Sequence, residues 1–139
     1  MDKNSKSLPV ACALIERDGK VLLAQRPPHK HLGGKWEFPG GKIESGESAS
    51  DAIIREIHEE LACQFIPRLS LSDHTHHYES ISIKMVPLIG TLAPNSSEPQ
   101  CHEHTAIAWV APAELTDYDL ASADYPVAEA YWKYLHHNG

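Results

Sequence analysis

A chain of 139 residues with 42% hydrophobic and 22% charged side chains has the size and balance of one soluble globular domain with a single core, and residues 1–139 are expected to form it. No apolar run approaches the ~20 residues that cross a bilayer, and the polar start lacks the long apolar segment of a secretory leader, so no membrane association and a cytoplasmic location are expected. The net charge of −7 opposes a nucleic-acid backbone and argues against stable nucleic-acid binding. It allows a small anionic substrate only where local cations bridge it to the protein.

In chain order, "PVACALIE" (Pro9 to Glu16) and "VLLAQ" (Val21 to Gln25) are apolar runs on either side of "RDGK". Its Asp18-Gly19 pair is a short-turn signal, so a hairpin is expected. "RPPHKHLGG" (Arg26 to Gly34) has two prolines, two glycines and no periodicity, which reads as a loop. A short strand over Trp36 to Phe38 is expected to end in a turn at Pro39-Gly40-Gly41. From Ser48 to Leu61 the spacing of Ala49, Ile53, Ile57 and Leu61 predicts a helix, with Ser48 as N-cap and Asp51 completing a capping-box pattern. Beyond it, "HTHHYESISIKMVPLIGTL" predicts two strands around Glu79-Ser80, "APNSSEPQCHEH" a polar loop, and "TAIAWVAP" from Thr105 another strand. "DYPVAEAYWKYL" reads as a final helix with Asp124 near its N-cap and Pro126 in its first turn. Strands interleaved with two helices argue for an α/β (α+β) layered domain. Cys12, Cys63 and Cys101 are odd in number and widely spaced, so reduced thiols are expected. The sequence leaves monomer and homodimer both open.

The predicted helix crowds Glu56, Glu59 and Glu60 together. At 100° per residue Glu59 lies about 60° to one side of Glu56 and Glu60 about 40° to the other, and the arc overlaps the edge of the apolar stripe. Two such ions ~6 Å apart repel by roughly 3 kcal/mol at an effective dielectric near 20, beyond what an exposed ion pair returns. One resolution is solvation with Arg55 absorbing charge. The other is a hard divalent cation, which takes carboxylate and phosphate oxygens. The glycines at 40 and 41, able to bring bare backbone to the same end of the helix, favour the second.

"GKIESGESASDAIIREIHEELAC" resembles the Nudix box, G-x5-E-x7-R-E-U-x-E-E-x-G-U with U aliphatic, at Gly41, Glu47, Arg55, Glu56, Ile57, Glu59 and Glu60. The likeness extends to "LLAQRPPHKHLGGKWEFPGGK", "HEHTAIAWVAPAEL" and "LASADYPVAEAY", which are similar to MutT-type nucleoside triphosphate pyrophosphohydrolases of the CTP and oxidised-nucleotide branch. The resemblance implies an α/β/α sandwich with a mixed sheet between helices. It also implies hydrolysis of cytosine nucleotides, or of oxidised ones such as 8-oxo-dGTP, to monophosphate and pyrophosphate with Mg²⁺ or Mn²⁺. The implied metal ligands are Glu56, Glu59, Glu60 and the Gly40 carbonyl, with Glu47 supporting the loop and the metal waters. Glu56 is the implied general base or a ligand beside it, Glu103 a distal carboxylate assisting metal binding or catalysis, and Arg55 the residue that orients Glu56 or Glu59.

For substrate, Arg26 and Lys42 are the candidate phosphate cations, and Trp36 and Phe38 the candidate aromatic wall, against a simple core role. Asp124 is the candidate base-reading residue. As an ionised, acceptor-only carboxylate it suits the N4 amino group of cytosine, while an oxidised purine could still be paired through its tautomer or a protonated Asp124; as a plain N-cap it needs no ligand. Alternation puts His74 and His76 on one strand face and His77 on the other, and a solvated strand end is expected there rather than a zinc site. Two other functions compete: a Nudix hydrolase acting on ADP-ribose, a dinucleotide or a CoA derivative, and a non-catalytic Nudix-fold binding module. The second predicts degraded box carboxylates and a basic surface, neither of which this sequence has. Ala62 stands where the box has glycine, so the helix is expected to end differently or to bear a small strain.

Overall fold

A computed structural model describes residues 7–137; the polar start of the chain and the two ends of the expected 1–139 domain lie outside these residues. Strands β1 (Ser7–Arg17) and β2 (Lys20–Gln25) form the expected hairpin. Asp18 and Gly19 both adopt positive φ, 53° and 77°, which a two-residue turn matching the twist of the strands requires. The remaining strands are β3 (Trp36–Glu37), β4 (Gly40–Lys42), β5 (Phe65–Ser70), β6 (His74–His77), β7 (Ser82–Leu92) and β8 (Ala106–Val110). β1 runs parallel to β7 from Ser7 opposite Ser82 to Ile15 opposite Gly90. β4 pairs antiparallel with β1, β5 and β6 with β7, and β3 and β8 with β2, so the eight-stranded sheet is mixed.

Period-2 alternation along β1 divides the interior in two. Ala11, Ala13 and Ile15 face helix α1 (Ala49–Leu61) and pack with its Ala52, Ile53, Ile57 and Leu61. Cys12 and Leu14 face the other way, onto Leu115 of the 3₁₀ turn Pro112–Asp117 and onto Val127, Ala128 and Tyr131 of helix α2 (Asp124–His137). Each fully buried Ile or Leu contributes roughly 2 kcal/mol. One helix on each face of a mixed sheet is the expected α/β/α sandwich.

Two local expectations are corrected. Gly40 and Gly41 form strand β4 on β1 rather than a turn. A Cβ at Gly40 would overlap the Ala11 carbonyl, so glycine here serves close strand approach, which the turn signal of Pro-Gly-Gly concealed. Strand β5 was not expected, because Pro67 and Arg68 interrupt its pattern; it lies at the sheet edge, and its pairing with β7 shifts register between Pro67 and Leu69, where proline is tolerated.

Helix α1 starts as expected, the Ser48 Oγ accepting the Asp51 N–H at 3.0 Å. It ends on Ala62 in the left-handed conformation, φ 58° and ψ 31°, whose N–H donates to the His58 carbonyl. Of the two expected endings the chain adopts the strained one, a non-glycine residue where Cβ crowds the following carbonyl. Relief of about 1–2 kcal/mol, less the entropy glycine adds to the unfolded chain, leaves Ala62→Gly more stable by about 0.5–1 kcal/mol. Thermal unfolding should show a midpoint about 2 °C higher in that variant.

Candidate active site

The carboxylates of α1 divide by depth. Glu60 is 7% exposed and joins the core boundary, Glu56 is half-buried, and Glu59 is exposed, as the overlap of the acidic arc with the apolar stripe predicts. Arg55 is the hub beside them. Its Nε and Nη2 donate to the two Glu47 oxygens at 2.7 and 2.8 Å, and its Nη1 donates to Glu56 at 2.9 Å and to Glu59 at 3.5 Å. Nη2 also reaches the Lys42 carbonyl at 3.2 Å, tying helix to strand β4. The paired guanidinium holds the Glu47 carboxyl down at about 2. Gly41 supplies the space, since a Cβ there would overlap the Glu56 carboxylate.

Burial, then the neighbouring Glu56 and the charges of Glu37 and Glu103, push Glu60 up to about 10, and its Oε1 is buried without a partner. A buried acid with an orphaned oxygen beside a second carboxylate fits a divalent cation, which would satisfy the lone pairs and offset the repulsion. Gly40, Glu56, Glu60 and Glu103 line a basin of ≈ 450 Å³ together with Arg26 and Lys42. Glu59 and Glu47 are held aside by Arg55. Among the described residues no three His, Cys, Asp or Glu side chains converge as a ready-made metal cage, so the carboxylates line an open basin.

A second cavity of ≈ 470 Å³ adjoins the basin and shares Arg26, Glu37, Gly40, Gly41 and Lys42 with it. Its walls are apolar, including Val10, Phe38, Ile83 and Met85, and Asp124 lies among its lining residues. Phe38 is at once core and cleft wall, whereas Trp36 packs edge-on against Tyr118 away from the cleft. Two residues of the basin, Glu37 and His104, escaped the sequence reading. Glu37 accepts from Arg26 Nη1 at 3.0 Å and meets His104 Nε2 at 2.9 Å. Its partners are 11 and 67 residues distant, so no short spacing could flag it. Arg26 also donates from Nε to the His31 carbonyl at 2.7 Å, which fixes it on the cleft wall.

Asp124 is the first residue of α2 and only 4% exposed, with Oδ1 lacking a partner. Burial, reinforced by Glu37, pushes its carboxyl well above the usual carboxylate range. Of the two forms weighed for Asp124, desolvation favours the neutral acid, which offers one donor and one acceptor. The expected solvated strand end holds for His77, which is exposed, but His74 and His76 are half-buried.

Residues 10–130 match the family pattern described as the NUDIX domain. The chain is 40% identical over 128 residues to the CTP pyrophosphohydrolase of Escherichia coli, covering 91% of this chain and 92% of that protein. It is 41% identical over 78 residues to an 8-oxo-dGTP diphosphatase of Proteus vulgaris, covering 55% and 67%. The solution structure of the E. coli ORF135 protein superimposes with a TM-score of 0.81 at 38% identity, over 93% of this chain and 91% of that one. The sandwich is thus matched in both sequence and shape. The chain belongs to the Nudix hydrolase family, whose members generally use divalent metal ions.

Because Glu60 titrates far above its unfolded value, its contribution to stability is complete at acidic pH and is lost as pH rises toward its folded pKa. Metal-free Glu60→Gln should therefore lose less thermal stability between about pH 6 and about pH 9 than the unsubstituted protein. A divalent metal should raise the unfolding midpoint of the latter but not of the variant, as scanning calorimetry with and without chelator would show.

Proposed function

We propose that the chain hydrolyses nucleoside triphosphates to monophosphate and pyrophosphate with Mg²⁺, Mn²⁺ being the substitute, and that its substrates are cytosine nucleotides or oxidised ones such as 8-oxo-dGTP. The observation that carries this reading is the continuity of two chemically opposite cavities through Arg26, Glu37 and the Gly40-Gly41 backbone. A triphosphate is anionic at one end and carries a flat, largely apolar base at the other. The names of the E. coli and P. vulgaris relatives support the two substrate choices.

Glu56, Glu60 and the Gly40 carbonyl, which line the basin, would hold the metal, joined by Glu59 once it leaves its 3.5 Å contact with Arg55, while Glu47 and Arg55 fix the orientation of Glu56. A divalent ion held there would supply positive charge to the polyphosphate and make a bound water more acidic. Glu56 would accept the proton of that water as it attacks phosphorus and pyrophosphate leaves. Glu103 would assist; its exposure at the basin rim supports that reading. Arg26 and Lys42 face the phosphates, and Phe38 forms a wall for the base.

At the far end the neutral Asp124 acid complements a base edge with one donor and one acceptor. Cytosine offers its N4–H and N3, and 8-oxoguanine its N1–H and O6. The neutral carboxyl thus accommodates both substrate choices, which an acceptor-only side chain would not.

The deciding experiment is pyrophosphate release from a panel of ribo- and deoxynucleoside triphosphates, including CTP, dCTP and 8-oxo-dGTP, with Mg²⁺. Release from none of them would sink the proposal. Glu56→Gln should lower kcat by about 10²–10³-fold, the loss expected for one preorganised transition-state contact, with the fold intact by circular dichroism. For the preferred nucleotide, kcat/KM should fall as pH rises through the elevated pKa of Asp124. Asp124→Asn, whose amide keeps a donor and an acceptor at every pH, should lack that fall.

A further inference from the structure

The cluster "HTHHY" (His74 to Tyr78) is not absorbed by the chemistry above, yet two of its side chains converge on a single residue of the neighbouring element. The Tyr78 Oη accepts the Ala123 N–H at 3.3 Å, and His74 Nε2 lies 3.3 Å from the Ala123 carbonyl. A carbonyl only accepts, so Nε2 carries the proton in this contact. Both peptide groups of Ala123 are thereby held from outside, by residues 45 and 49 positions away in the chain.

Ala123 immediately precedes Asp124, the first residue of α2. An alanine at that place has no side-chain oxygen with which to fix the start of a helix. Tyr78 is in turn braced on both sides. The His31 ring meets it edge-on at 5.7 Å and 78°, and the His76 ring at 4.6 Å and 68°. Tyr78, His31, Ala123 and Asp124 all line the apolar cleft, so the brace is part of the cleft wall.

We propose that Tyr78 and His74 are positioning residues for base selection: by clamping the two peptide groups of Ala123 they fix where Asp124 presents its carboxyl. The inference rests on Asp124 reading the base, as proposed above. The alanine side chain at 123 can make no hydrogen bond of its own, and an exacting donor–acceptor match to a base needs the carboxyl held to within a few tenths of an ångström. His74 and Tyr78 hold the Ala123 backbone from across the cleft.

The test is the ratio of kcat/KM between the preferred and the poorest nucleotide of the panel, measured by pyrophosphate release with Mg²⁺ in Tyr78→Phe, His74→Leu, His74→Gln and Asp124→Ala. Tyr78→Phe keeps the ring and removes the acceptor. His74→Leu removes the donor, and His74→Gln retains an N–H. Loss of one such hydrogen bond should compress the ratio roughly fivefold in Tyr78→Phe and His74→Leu, with KM taking the larger share, and His74→Gln should restore much of it. A collapsed ratio in Asp124→Ala with an unchanged ratio in both Tyr78→Phe and His74→Leu would overturn the clamp while leaving base reading by Asp124 standing. An equal fall for every nucleotide would mean a structural role only and would also overturn it. An unchanged ratio in Asp124→Ala would overturn base reading and the clamp together. Should Tyr78→Phe fail to fold, the contrast between His74→Leu and His74→Gln decides by the same criteria.

Discussion

Negative charge held at the edge of the core by α1 is the constraint around which the rest of this protein is arranged. Glu60 is nearly buried and has Glu56 beside it, an arrangement that costs free energy unless a cation or a proton relieves it. Arg55 relieves the outer part by taking Glu47, Glu56 and Glu59 at once. It cannot neutralise Glu60, whose Oε1 stays unpartnered. The apo fold therefore carries a local electrostatic burden that ligand binding can discharge, and stability and function are coupled through that one helix face.

The neighbouring strands are shaped by the same demand. Gly41 has no side chain because the Glu56 carboxylate occupies the space, and Gly40 has none because β4 presses on β1. β4 in turn presents its Lys42 carbonyl to Arg55. A guanidinium, two glycines and four glutamates thus form one mechanical unit, in which each position is set by where the next must put its charge.

Much of this was legible in the sequence because it is local. The helix, its Ser48 cap and the graded burial of Glu59, Glu56 and Glu60 follow from 3.6-residue spacing alone, and the β1–β2 turn from Asp18-Gly19. What escaped was non-local. Glu37 acquires its meaning only when Arg26 and His104 arrive from other strands. Asp124 changes from an anion to a favoured neutral acid only when the fold removes its water. The Pro-Gly-Gly run reads as a turn until a partner strand is close enough to exclude a side chain. His74 of β6 looked idle because its partner, a backbone carbonyl on a distant segment, leaves no mark in the sequence.

The alternation of β1 between two cores has a further meaning for how such a protein changes over generations. The glutamates of the basin ride on the helix packed against Ala11, Ala13 and Ile15, whereas Cys12, Phe38 and Met85 belong to the opposite core and also line the cleft. The sheet thus separates the packing behind the glutamate helix from the packing behind most of the cleft. Substitutions that remodel the cleft are absorbed in one half of the interior while the other keeps its packing, so new substrate preferences can be explored by drift without first dismantling the chemistry.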